Sequence, residues 1–244
     1  MTTTPIYITT WHREDMAGDV LYQLGTRTAP GTYEIHVWDN GSDCDMQESL
    51  YSALKGGLIT SLHLDSRNTG CKLPKGAFHS MTPADCDYYV VSDGDVCPPL
   101  LDGMDWLARL RDTMDRHPNI AVLAAQLPPQ SFQSPYLVMD NVVLCQAVGN
   151  TLKMVRRSMF PIDWWSATLG EYGDDGKLCQ ELRRRGHHVA FSRDVYCLHM
   201  GQCTKCGYTD EQWVQDPRKA GYGAPYTYEY DPITYVPINP ELRM

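Results

Sequence analysis

Positive charge is in short supply in this sequence. Its 244 residues carry 21 Lys and Arg against 30 Asp and Glu, a formal charge of −9 at pH 7. Proteins that grip a nucleic-acid backbone do so with an excess of cations, so generic phosphate-backbone binding is excluded as the main activity, although a local basic face is not. Also missing is any run near the ~20 uninterrupted apolar residues that a membrane-spanning helix needs, so no membrane span is expected. Met1 to Thr10 lack the basic-then-apolar layout of a secretory signal peptide. There is no internal repeat and no small disulfide framework, because the nine cysteines are odd in number and scattered from Cys44 to Cys206. These features together predict reduced thiols and a cytoplasmic location.

What is present is an alternation of strand-like and helix-like segments. Pro5–Thr10, Tyr33–Trp38 and Leu58–Leu64 read as strands, and Tyr88–Ser92 and Ile120–Ala125 as buried ones, continuous apolar runs of the kind that parallel sheets cover on both faces. Between them, Asp15–Thr28, Asp45–Lys55 and Met104–Arg116 carry apolar residues at helical spacing, and Gly56-Gly57 stops the second. The polar stretch Asp65–Thr82 reads as turns. Strands alternating with helices at this spacing predict an α/β fold with a mainly parallel sheet. Farther on, Pro128–Pro135 reads as a loop, Asn141–Arg156 as one or two strands and Asp174–Arg185 as a helix. Val189–Ser192 and Val195–His199 read as short extended pieces. From Gly207 the composition changes, with six of the fifteen tyrosines and five of the sixteen prolines, which predicts an extended arm over 207–244 packed on a single domain of residues 1–206.

Four places carry chemistry. Ser92-Asp93-Gly94-Asp95 ends the Tyr88–Ser92 run. In an open α/β sheet ligands bind at the carboxyl ends of strands, and carboxylates at i and i+2 can share a hard divalent cation that bridges to phosphates. A plain Asp-Gly turn is the competing reading. Asp39-Asn40-Gly41-Ser42 ends the second strand on the same sheet edge and is either a strand-terminating turn or an acceptor for a base or ribose. Gly173-Asp174-Asp175 opens a helix. The acids are favoured there by the helix dipole as caps, while two adjacent carboxylates can also tune one for proton transfer. His199 ends a short extended segment and suits a borderline divalent metal as well as a structural role.

In this order the four signals resemble the family-2-like glycosyltransferases of the GT-A fold, from about Pro5 to Gly201. The resemblance rests on Thr9-Thr10-Trp11-His12-Arg13 after the first strand, Asp39 to Ser42 after the second and Asn68-Thr69-Gly70 after the third. It continues with Asp93 to Asp95 followed by Pro98, with Met154-Val155-Arg156-Arg157-Ser158-Met159-Phe160, with Asp174-Asp175 opening Leu178 to Gly186, and with His199. Two departures are an Asp-Asp pair where the family usually has Glu-Asp, and Gly94 where many relatives have a third acid. The resemblance implies a Rossmann-like mixed, mostly parallel sheet flanked by helices. It also implies a metal-dependent, inverting transfer of a sugar from a nucleoside-diphosphate sugar, a UDP-sugar foremost, to an acceptor hydroxyl. Asp95 and His199, with Asp93 assisting, would hold Mn²⁺ or Mg²⁺. Thr9, Arg13, Asp39, Asn68, Asp93 and Trp165 would bind the donor, with Trp164 and Trp165 offering aromatic faces to a sugar or serving as core. Asp175 would be the base, with Asp174 as the alternative.

Three other readings compete. Cys197, Cys203 and Cys206 around His199 have the ligand types of a structural zinc knuckle, against free thiols. A nucleotidyltransferase would use a similar nucleotide-binding half, and a non-catalytic module would bind the nucleotide-sugar without turnover. Glycans, proteins, small molecules and a hydroxylated nucleic-acid base all remain acceptor classes, the last because Arg183, Arg184, Arg185, His187 and His188 cluster. The competing reading of that cluster is a solvated helix end.

Overall fold

The computed structural model describes residues 3–68, 75–127, 137–163 and 175–200. In chain order its elements are β1 (Thr4–Thr10), α1 (Glu14–Arg27), β2 (Tyr33–Asp39), α2 (Cys44–Lys55), β3 (Ser61–Leu64), α3 (Lys75–Met81), β4 (Tyr88–Asp93) and β5 (Val96–Cys97). They continue with α4 (Trp106–Arg116), β6 (Ile120–Gln126), β7 (Leu137–Met139), β8 (Val142–Leu144), β9 (Lys153–Arg156), α5 (Asp175–Arg184), β10 (His188–Tyr196) and β11 (Leu198–His199). Nine strands form one sheet in the order β3-β2-β1-β4-β9-β6-β10-β8-β7, and β5 pairs with β11 in a separate ribbon. The pairings β1–β2, β1–β4, β2–β3 and β6–β10 are parallel, while β9 runs antiparallel to both β4 and β6 and β8 runs antiparallel to both β10 and β7. Only β8 and β9 therefore oppose the common direction.

The strand sequences explain their places. Every residue of β1 and β6 is buried, as central strands covered on both faces require. Alternate residues then serve opposite faces. Ile6, Ile8, Val90 and Met154 join the cluster against α1, α2 and α4. Tyr7, Tyr89, Val91 and Val155 join the cluster against α3 and α5. The helices close these faces with residues at three- and four-residue spacing, such as Met16, Val20, Leu21 and Leu24 of α1. Their starts are set by side-chain caps: Asp43 accepts from the Met46 amide at 3.1 Å and Asp105 from the Ala108 amide at 2.8 Å.

Most of the expected elements fall where the periodicity puts them. Helix α3 is the main addition. Its seven residues have Phe78 as the anchor in the core, too short a pattern for a 3.6-residue period to register. The two extended pieces expected over 189–199 are a nine-residue strand with a register shift between Phe191 and Tyr196, followed by β11. The irregularity hides the continuity of the strand from an alternation pattern. The expected arm over 207–244 lies outside the described residues, as do Trp164, Trp165, Asp174, Cys203 and Cys206.

Candidate active site

The strand order reverses direction of growth at β1: β2 and β3 lie to one side and β4 to the other. Such a switch point leaves a crevice outside the carboxyl ends of the strands. The register brings Thr10 of β1 beside Asp39 of β2, and Thr9 of β1 beside Asp93 of β4. A cavity of about 300 Å³ opens there, walled by the chain from Thr9 to Arg13, by Ala17 and Asn40, by Asp93-Gly94-Asp95 and by His199.

Three elements deliver the acidic and imidazole groups. Strand β4 ends at Asp93, whose Oδ1 accepts from Thr9 Oγ1 at 3.2 Å and from Asn150 Nδ2 at 3.3 Å. The chain then crosses β1 so closely that a side chain on residue 94 has no room. A Cβ there would stand 2.7 Å from Thr10 Cγ2 and 3.0 Å from the Thr9 carbonyl oxygen, which instead accepts from the Gly94 amide at 2.8 Å. Glycine in the middle of the acidic motif is thus a steric requirement of this chain. Asp95 follows, 8 % exposed. The ribbon pairing of His199 with Val96 carries the imidazole back to it across a hundred residues of sequence.

Asp95 is the hub. Its Oδ1 lies 3.3 Å from His199 Nε2, and its Oδ2 accepts from Arg13 Nη1. Burial alone would lower the His199 pKa. The Asp95 and Asp93 carboxylates outweigh it and hold that pKa above the ordinary imidazole value, with Arg13 opposing them. Ligand atoms of Asp93, Asp95 and His199 all lie within 4.8 Å of one another. Two carboxylate oxygens and one imidazole nitrogen form a donor set that suits a divalent ion such as Mn²⁺. His199 Nδ1 is buried without a hydrogen-bond partner among the described residues, while Nε2 faces Asp95. The residues fit a metal.

The loop that closes the cavity is held in an unusual backbone. His12 and Arg13 both have left-handed φ, 53° and 61°, a region that costs a non-glycine residue about 1 kcal/mol or more. Contacts to the next loop impose it. The His12 amide donates to Ser42 Oγ at 2.7 Å and His12 Nδ1 lies 3.0 Å from Asp43 Oδ2.

The Asp39-Asn40-Gly41-Ser42 turn divides its labour. Asp39 is fully buried and accepts from Thr10 Oγ1 at 3.1 Å and from the Ser42 amide at 2.9 Å. Asn40 is the residue of this turn that lines the cavity, and its Nδ2 donates to Asn68 Oδ1 at 3.1 Å. Gly41, at φ +74°, lets the turn sit against the Arg67–Asn68 backbone, where a Cβ would approach to 2.3 Å.

Asp175 stands apart from the cavity wall. It is the first residue of α5, and its Oδ1 accepts from Lys153 Nζ at 2.6 Å. Nothing in a scan for acids, histidines and cysteines singles out Lys153. The signal that could have found it is a lysine heading a strand, Lys153–Arg156, whose two middle residues are apolar. Arg156 of the same strand is a clamp: it donates to the Met114 carbonyl at 2.6 Å and to the Tyr88 hydroxyl at 2.9 Å, with its guanidinium over the Tyr88 ring. Cys197 is buried in the core with its thiol on the Gln126 carbonyl, and burial pushes its pKa up. The basic cluster is partly neutralised, since Arg184 and Arg185 both pair with Glu181 at 2.7 Å and Arg185 also reaches Asp163 at 3.0 Å.

Solved structures with this architecture share little sequence with the chain. GalNAc-T7 with UDP, GalNAc and Mn²⁺ aligns at a TM-score of 0.61 and 13 % identity, over 81 % of this chain and 43 % of that one. The mannosyltransferase PcManGT from Pyrobaculum calidifontis, in complex with GDP-Man and Mn²⁺, aligns at 0.59 and 14 %, over 81 % and 56 %. TarS of S. aureus, in complex with UDP-GlcNAc, aligns at 0.56 and 12 %, over 82 % and 61 %. The fold is GT-A. The chain spans roughly half the length of these three GT-A structures, from 43 % to 61 %. No protein-family model and no curated protein matches the sequence. Among the described residues no helix of this GT-A domain is long and apolar enough to cross a membrane.

Proposed function

We propose that this protein is a metal-dependent, inverting glycosyltransferase that moves a sugar from a nucleoside-diphosphate sugar, a UDP-sugar foremost, to an acceptor hydroxyl. The observation that carries the reading is the convergence of Asp93, Asp95 and His199 on the cavity at the switch point of a GT-A sheet. The three solved relatives support it, each of them crystallised with a nucleotide or nucleotide-sugar, two with Mn²⁺.

The chemistry follows from charge. A bound divalent ion, Mn²⁺ or Mg²⁺, would neutralise the diphosphate and make it a better leaving group. Asp95 and His199 would hold that ion, with Asp93 assisting through the metal, a water or the ribose. Arg13 lies on the same carboxylate and would serve the nucleotide phosphates once Asp95 is engaged elsewhere. Thr9, Asn40 and Asn68 offer polar groups to the nucleoside, and Asp39 would act by bracing the turn that presents Asn40. Trp165 is proposed as a stacking face for the sugar. Asp175 would take the acceptor proton as the acceptor oxygen attacks the anomeric carbon.

The test starts without an acceptor. Purified protein is screened by thermal shift with Mn²⁺ and a panel of UDP- and GDP-sugars, and the stabilising donor is then assayed for release of nucleoside diphosphate. Stabilisation that needs metal and disappears in Asp95→Asn is the expected result. Release of pyrophosphate instead would identify a nucleotidyltransferase. Binding without release of nucleoside diphosphate to water or to any acceptor tried would leave a nucleotide-sugar-binding module.

A further inference from the structure

Lys153 is the least exposed charged group among the described residues that form ion pairs, with its side chain 1 % exposed. It heads β9, between β4 and β6 in the middle of the sheet. Its neighbour Met154 packs into one core cluster and Val155 into the other, so Lys153 shares the Val155 face, the face that α5 covers. An apolar side chain would pack there without desolvation. An ammonium group loses its water, which is unfavourable unless a partner restores the interaction. That partner is Asp175 Oδ1 at 2.6 Å. A carboxylate in the first turn of a helix is already favoured by the helix dipole, so α5 does not need the lysine in order to start with an acid.

The register places the lysine near the carboxyl end of β4. Lys153 lies beside Val91, two residues before Asp93. The Asp93 side chain is in turn held by Asn150, three residues before Lys153. One short stretch of chain thus touches both the proposed metal ligand and the acid of α5.

We infer that Lys153 is a positioning residue for Asp175: it ties the carboxylate of α5 to β9, beside the last residues of β4, and fixes its place for the transfer step. The inference rests on the glycosyltransferase reading. In that step the acceptor O–H gives its proton to Asp175, and the acceptor oxygen forms a bond to the anomeric carbon. The bond from that carbon to the phosphate oxygen breaks, its electron pair leaving with the nucleoside diphosphate. A carboxylate held by a buried ammonium has its orientation restricted, which is what a base that must meet one hydroxyl requires.

The experiment compares Lys153→Met, Asp175→Asn and the double variant in two measurements. Thermal unfolding reports the pair without any substrate. Asp175→Asn, which strands a buried ammonium, is expected to lower the midpoint more than Lys153→Met does, and the double variant to recover a large part of that loss. Release of nucleoside diphosphate from the donor that the screen identifies, with water as acceptor, reports the role. Lys153→Met is expected to lower kcat at least tenfold with KM for the donor within twofold, at a temperature where circular dichroism finds the variant folded. Unfolding losses that simply add, or a wild-type kcat in folded Lys153→Met, overturn the inference. A wild-type protein that binds no nucleoside-diphosphate sugar with Mn²⁺ overturns the glycosyltransferase reading and the positioning role together, and strong coupling in unfolding would then assign the pair to stability alone.

Discussion

The two acidic centres of this protein use cations in opposite ways. At the switch point, Asp95 is shared by Arg13 and His199 beside an open cavity, and the Arg13 side chain keeps 21 % of its exposure. At the start of α5, Asp175 pairs with a lysine whose side chain is 1 % exposed. A guanidinium on a long, partly exposed side chain can be exchanged for another cation at small cost, because water takes over what the carboxylate gave. A buried ammonium has no such replacement, and loss of its partner is expensive. The difference separates a centre built to receive a ligand from one built to hold still.

Breaking the first centre should have the largest effect. Asp95→Asn removes the charge that both His199 and Arg13 face, and is expected to lower metal-dependent release of nucleoside diphosphate by two orders of magnitude or more, roughly what loss of a transition-state charge partner costs elsewhere. Mn²⁺ titration by calorimetry on the same variant checks that the loss tracks metal affinity. Breaking the second centre should act on stability: Asp175→Asn is expected to cost about 3 kcal/mol, at the lower end for a broken buried pair because the Asp175 side chain is 24 % exposed. Chemical denaturation measures it, and a cost under about 1 kcal/mol would mean that the ammonium finds water or another acceptor.

Gly94→Ala tests how tightly β1 holds the first centre. The new Cβ would meet the Thr9 carbonyl and the Thr10 methyl, so a loss of about 1–3 kcal/mol is expected, as for overpacking in a core, together with weaker Mn²⁺ binding because Asp95 must shift. An unchanged melting temperature would show that the crossing can open. Arg13→Gln sharpens the contrast between centres with a smaller effect. It is expected to raise Mn²⁺ affinity a few-fold in the absence of nucleotide, since a competing cation is gone, and to weaken nucleoside-diphosphate binding in the presence of Mn²⁺. A fall in both affinities would mean that Arg13 organises Asp95 and does not compete for it.

The smallest effect concerns a third pairing. Hydrogen bonds from Arg184 and then Arg185 hold the Glu181 carboxyl near pKa 2, below its ordinary 4.5. A lowered folded pKa adds stability that is complete above about pH 4.5 and fades as the pH falls toward 2. Unfolding of the wild type against Glu181→Gln should therefore diverge above pH 4.5 and converge in acid. Parallel curves down to pH 2 would show that the pairing contributes nothing, as exposed arginines often do.

Much of the first centre was legible in the residues and their order. The buried Tyr88–Ser92 run, the acids that follow it and the turn after Trp38 all report local physics: apolar continuity makes a central strand, and Asp, Asn and Gly end it. The division of the turn was not legible. Asp39 and Asn40 are adjacent, buried polar residues, and only the packing of Thr10 and Ser42 against Asp39 decides which of them braces the turn and which lines the cavity. Lys153 was invisible for the same reason. A single lysine at the start of a four-residue strand is unremarkable until the fold lays a helix over it.

The sequence by itself determined the α/β alternation, most strand and helix positions and the acids at the carboxyl ends of β2 and β4, because these depend on contacts within a few residues. Tertiary structure alone decided that Gly94 must lack a side chain, that His199 meets Asp95 through the β5–β11 ribbon and that Lys153 anchors Asp175. Each of those depends on which strands become neighbours. Strand order is set by burial across the whole sheet, and no local pattern encodes it.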